Sequence, residues 1–130
     1  MDQLDIKCIA PGEQSNGGVA VFEEIVAPGG GPPRHVHREQ LEVFHVLEGT
    51  IKFEVAGESF ERGPGSAAVI PAGVVHAFKN VGDGAAKIHF ELIPALSSEE
   101  AFERLTTGPI EDVEAFFDEY GMDLAGPPLD

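Results

Sequence analysis

Cysteine is nearly absent from this sequence: Cys8 stands alone, so no intramolecular disulfide can form. That excludes a cross-linked secreted scaffold and points to a thiol-reducing, cytoplasmic setting. In an early strand-like segment, Cys8 reads as a small apolar residue and not as a catalytic thiol. Basic residues are scarce too, 8 Lys and Arg against 23 Asp and Glu, for a formal charge of −15. A field of that sign repels phosphate backbones and anionic lipid, which excludes nucleic acid and membrane surfaces as partners. It also slows an anionic substrate unless a local positive centre, such as a bound divalent cation, offsets it. No apolar run approaches the roughly 20 residues that cross a bilayer. The stretch "MDQLDIKCIAPGE" has neither the basic nor the apolar region of a signal peptide.

Glycine and proline, by contrast, are plentiful: 16 and 10 among 130 residues that are 42% hydrophobic. This length encloses one core but not two, and so many turn formers favour short strands over long helices. From Leu4 to Leu92, β-like runs such as "VAVFEEIV", "LEVFHVLEGTIKFEV", "AAVI" and "AAKIHFELIP" alternate with turn chemistry. "APGGGPP" and "AGE" break strands, and Pro71 with Gly73 suits a type I turn. Strands at that spacing predict a sandwich or a barrel.

After Pro94 the texture changes. Ser97 and Glu100 stand at capping-box spacing ahead of a helix that stops at Gly108. Pro109 suits the first turn of a second helix, with Ile110, Val113, Phe116, Phe117 and Tyr120 on one face before Gly121. Helices this short must pack on the barrel or on a second subunit. The domain reading is a barrel over residues 1–96 with a helical extension, 97–130, of the same domain.

The stretch "PPRHVHREQLEVFHVLEGT" (32–50) holds three of the five histidines. Side chains alternate along a strand, so His35 and His37 project the same way, about 6–7 Å apart. In the next strand Glu42, Phe44 and Val46 share one face; farther on, Val74, His76 and Phe78 share another. Three neutral imidazoles and a carboxylate on an inward surface make a mixed N/O site for a divalent transition metal. Such a set leaves an octahedral ion with two open positions. His45 alternates to the face opposite Glu42 and reads as a surface or subunit-contact residue. His89 shares a face with Lys87 and Glu91 and reads as solvated, while Arg34 is expected to pair with a nearby carboxylate. Phe44, Phe53, Phe78 and Phe90 fall on inward faces, as core or as the lining of a pocket above the metal.

At these residues the chain resembles the cupin superfamily. The first cupin motif, G(X)5HXH(X)3–4E(X)6G, is met by Gly29, His35, His37, Glu42 and Gly49. The second, G(X)5PXG(X)2H(X)3N, is met by Gly65, Pro71, Gly73, His76 and Asn80. Chance agreement at all ten positions is on the order of 10⁻¹² per register, so the double motif is no accident of composition. Ser66 stands where many relatives carry Asp, at a turn. The tail "YGMDLAGPPL" resembles the ending of small bacterial cupins described as quercetin-dioxygenase-like.

The resemblance implies an all-β, double-stranded β-helix (jelly-roll) barrel with a short two-helix C-terminal extension, paired as a homodimer. Burying open sheet edges supplies the motive for pairing. It also implies one divalent transition metal per chain, Fe, Mn, Ni or Zn with Fe favoured, held by His35, His37, Glu42 and His76. The expected function is a metal-dependent oxygenase acting on a small neutral or aromatic organic molecule. Glu42 is the expected catalytic residue, bound to the metal or detached to act as a base. A redox-neutral isomerase, lyase or decarboxylase is the alternative, and a binding module without turnover is the competing class.

Overall fold

The computed structural model describes residues 4–130; Met1 to Gln3, where the stretch searched for a signal peptide begins, lie outside them. The chain runs β1 (Asp5–Ala10), β2 (Ala20–Val26), β3 (Pro33–His37), β4 (Leu41–Glu48), β5 (Ile51–Val55), β6 (Glu58–Arg62), β7 (Ala67–Ile70), β8 (His76–Asn80) and β9 (Ala86–Ile93). Then come α1 (Ser98–Thr107), α2 (Val113–Glu119) and β10 (Met122–Pro128). Two antiparallel five-stranded sheets, ordered β1-β2-β9-β4-β7 and β10-β3-β8-β5-β6, face each other. This is the expected all-β roll, with the two helices after it. The strand β10, which follows them, was not foreseen.

Strict alternation builds the core. Along β2 the residues Ala20, Phe22, Glu24 and Val26 are buried while those between them are half-buried. Phe22, Phe90 and Phe44 lie on one rung across β2, β9 and β4, and Phe53 faces Phe78 across β5 and β8. All five rings are buried. Burying each is worth about 1.5–3 kcal/mol, and neighbouring centroids lie 5.2 to 6.2 Å apart, within the range of favourable aromatic pairs.

Turn chemistry aligns the rungs. Ala56 and Gly57 both have positive φ, 51° and 83°, which gives the β5–β6 hairpin a two-residue turn whose twist matches its strands. At Gly31 a Cβ would sit 1.9 Å from the Phe78 carbonyl oxygen, so only glycine lets this loop cross β8 on its way to β3. Asn80, fully buried, donates to the carbonyls of Val26 and Gly84 and accepts from the Gly82 amide. This motif residue fastens loops together and lies outside the metal cluster.

The helices pack on the barrel. Phe102 of α1 sits 4.7 Å from the Phe22 ring and 5.2 Å from Phe90. A second apolar cluster joins Ala101 and Leu105 of α1, Phe116 and Phe117 of α2, and Met122 of β10. Of the two expected helix starts, Ser97 does stand at the N-cap of α1 but without the capping-box bond, and Pro109 does not open α2. Ser97 makes no side-chain cap; Ser98 instead turns inward to donate to the Ala95 carbonyl, and Glu99 reaches away to accept from the Gly12 amide. Pro109 precedes α2, which begins at Val113 because Asp112 accepts from the Ala115 amide and caps the helix there. Cys8 does lie in a strand, but it is exposed. No described helix is long and apolar enough to cross a membrane.

Candidate metal centre

β3 carries His35 and His37 on one face, and β8 carries His76 directly opposite His35. Glu42 comes from β4, in the other sheet. The four side chains are buried, and one ligand atom from each lies within 4.8 Å of all the others. All four residues singled out in the sequence therefore meet. The turn before β8 is tied to β3 through the Gly73 amide, which donates to the His37 carbonyl at 2.8 Å.

The hydrogen bonds orient the rings. Nδ1 of His35 lies 2.8 Å from the Pro33 carbonyl oxygen, and Nδ1 of His76 lies 3.0 Å from that of Val74. A carbonyl only accepts, so each Nδ1 carries a proton, and the Nε2 atoms are the ones available to the cluster. Nε2 of His37 and of His76 lie 3.2 and 3.1 Å from the same oxygen of Glu42. Nδ1 of His37 is buried with no hydrogen-bond partner among the described residues. A purely hydrogen-bonded network thus leaves a buried nitrogen unpaired and asks one carboxylate oxygen to serve two rings. Three imidazoles and one carboxylate at this spacing fit a divalent transition metal.

The four groups titrate against one another. Burial alone pushes the Glu42 carboxyl up, but the charge and hydrogen bonds of His37 and His76 outweigh it and hold the group well below the usual carboxylate range. Burial, reinforced by His76 and His37, lowers His35 to about 3. That leaves a neutral imidazole at neutral pH, as a metal ligand must be. Burial pulls His76 down, yet the hydrogen bond and charge of Glu42 prevail and raise it.

The remaining sequence candidates lie elsewhere. His45 pairs with Glu91 and His89 with Glu23 on the outer face of their sheet. Arg34 makes a two-point pair with Glu54. Phe44, Phe78 and Phe90 do line a cavity of about 710 Å³ that opens onto His35, His37 and Glu42. Two features of that cavity went unread in the sequence. Phe102, Leu105 and Phe117 close it from the helices, with Phe117 edge-on to His35 at 5.8 Å, and Glu24 of β2 lies on its wall. The signal for Glu24 was present in "AVFEEIV", where the alternation that turns Phe22 and Val26 inward also turns in a carboxyl.

Residues 22–92, more than half of the chain, match the Cupin_2 family of cupin domains. The chain is a cupin. Over 70 residues it is 34% identical to the polyketide synthase CurC of Streptomyces cyaneus, covering 54% of the cupin chain and 46% of CurC. Over 76 residues it is 36% identical to germin-like protein 3-8 of Oryza sativa subsp. japonica, covering 55% of this cupin and 34% of the germin-like protein. The cupin thus spans less than half the length of these relatives. Among solved structures it superposes on KdgF from Halomonas sp. with a TM-score of 0.65 at 18% identity, covering 72% of this cupin and 82% of KdgF. That likeness concerns the fold.

Proposed function

We propose that this cupin is a metal-dependent oxygenase of the quercetin-dioxygenase-like type, acting on a small neutral or aromatic organic substrate. The observation that carries the reading is the setting of the His/Glu cluster: it opens onto a cavity lined mainly by Phe and aliphatic side chains. A mainly apolar pocket with a polar pole at the cluster binds and orients an uncharged molecule whose reacting oxygen faces that pole. His35, His37, Glu42 and His76 would hold one divalent transition metal, iron being favoured because oxygenase chemistry needs a redox-active ion. When bound, the metal supplies Lewis-acid polarisation and a path for electrons. The chain does the rest. The Pro33 and Val74 carbonyls fix the ring tautomers, and Phe102 and Phe117 keep water from the pocket. Glu42, held ionised, serves as a ligand or, detached from the ion, as the base.

The test is oxygen uptake. Protein loaded anaerobically with Fe(II), Mn(II) or Ni(II) should consume dioxygen with at least one flavonoid, 1,3-diketone or catechol, and His76→Ala should abolish uptake. No uptake across that panel would overturn the oxygenase reading. The second reading is a redox-neutral isomerase, lyase or decarboxylase, supported by one specific feature, the ionised carboxylate of Glu42 within the cluster, which takes a proton when it leaves the ion. Tightly held Zn(II) together with turnover in the absence of oxygen would select it. We also propose that the chain pairs as a homodimer through a sheet edge such as β7, whose Val69 is 58% exposed. Sedimentation equilibrium at micromolar concentration should return twice the chain mass, and Val69→Asp should return the single chain.

A further inference from the structure

A carboxyl on an apolar wall needs a reason. Glu24 lies on the inward face of β2 between Phe22 and Val26 and is only 8% exposed. Its carboxyl borders the cavity, yet no donor among the described residues bonds to it. The charged neighbours that act on it, Glu42 and Asp5, carry its own sign. Its oxygens are not sealed off but face the cavity, so whatever fills the cavity must replace the hydration that burial removes. Natural cores keep such groups where something else completes them.

We propose that Glu24 is the second polar pole of the cavity, its carboxyl donating a hydrogen bond to a carbonyl or enol oxygen of an uncharged, largely apolar ligand. The ligand's other oxygen faces the His/Glu cluster, and for that half of the contact the assignment rests on the metal-centre reading above. The ligand class is therefore narrower than "neutral or aromatic": it carries two oxygen functions on an otherwise apolar frame, as a 1,3-diketone with an aryl substituent does. Burial first, then Glu42 and Asp5, raises the Glu24 carboxyl to about 8 in the metal-free chain, which favours the protonated form that such a bond requires. An anionic ligand meets Glu42 and Asp5 on entry. At Glu24 a cation finds a neutral partner and gains no ion pair.

The experiment uses three aryl probes of similar size on the full chain: benzoylacetone, 4-phenylbutyrate and 4-phenylbutylamine. Binding is followed by calorimetry, and the protonated-carboxyl band by infrared difference spectroscopy. Benzoylacetone should bind tightest and shift a carboxyl band that is absent from Glu24→Gln. Glu24→Gln, whose amide still donates, should keep affinity within about threefold; Glu24→Leu, which cannot, should lose about tenfold. Metal content should be equal in all three proteins, separating this assignment from the fate of the metal centre. Equal affinity in Glu24→Leu, or a wild-type carboxyl band indifferent to the probe, overturns the proposal. So does tighter binding of the amine that is lost in Glu24→Gln, since that marks an ionised cation site. Should Glu24→Leu fail to fold, the wild-type band and Glu24→Gln still decide. Diketone binding that depends on Glu24 without any oxygen uptake would sink the oxygenase and leave this assignment standing.

Discussion

His76 anchors the centre from two sides, since its Nδ1 is held by the Val74 carbonyl and its Nε2 faces Glu42. Removing an outer partner of a metal ligand costs roughly 10–100-fold in affinity, so deleting the ligand should cost more. His76→Ala is expected to drop metal content from one per chain to near zero by elemental analysis, with far-UV circular dichroism unchanged. Glu24 makes a different prediction. Its folded value of about 8 lies above the ordinary 4.5, so between the two the folded state holds a proton that the unfolded chain has released. Its contribution is complete below about 4.5 and is lost as pH climbs through about 8. The melting temperature of metal-free protein should fall from about pH 5 to about pH 8.5, and fall less in Glu24→Gln; parallel curves would clear Glu24 as the cause. The four metal candidates were legible because fixed spacing carries them. Glu24 was passed over although alternation turns it inward, because of two adjacent acids in a strand neither is ordinarily expected to face the core.

Among the elements, α2 and β10 decide how well the cavity is closed. Phe116 and Phe117 are both buried, but only Phe117 borders the cavity. Each truncation to Ala should cost about 3–5 kcal/mol in urea unfolding. Phe117→Ala should also weaken benzoylacetone binding, while Phe116→Ala leaves it near wild type. The helices themselves, and the Ser97 start of α1, could be read from the sequence; where α2 begins could not. Asp112 outcompetes Pro109 as a start because its carboxylate satisfies an amide that would otherwise be left open. β10 was illegible for another reason. Gly126, Pro127 and Pro128 read as turn residues, and proline is excluded from central strands but tolerated at an edge. β10 is such an edge, pairing among the described residues with β3 alone. Arg38 holds it there through the Met122 carbonyl and Asp123.

At the scale of the whole molecule, the centre spans both layers of the roll: three of its groups hang from one sheet and the fourth from the other. An ion bound there is a rivet through the two layers. The chain cannot open without surrendering it, so occupancy and resistance to heat become one measurement. A ligand that binds only the folded form adds about 4.1 kcal/mol at a thousandfold excess over its dissociation constant. Ranking Fe(II), Mn(II), Ni(II) and Zn(II) by the temperature at which the protein melts is thus a direct ranking of their affinities, and Glu42→Ala, which pulls the rivet from one plate, should flatten it.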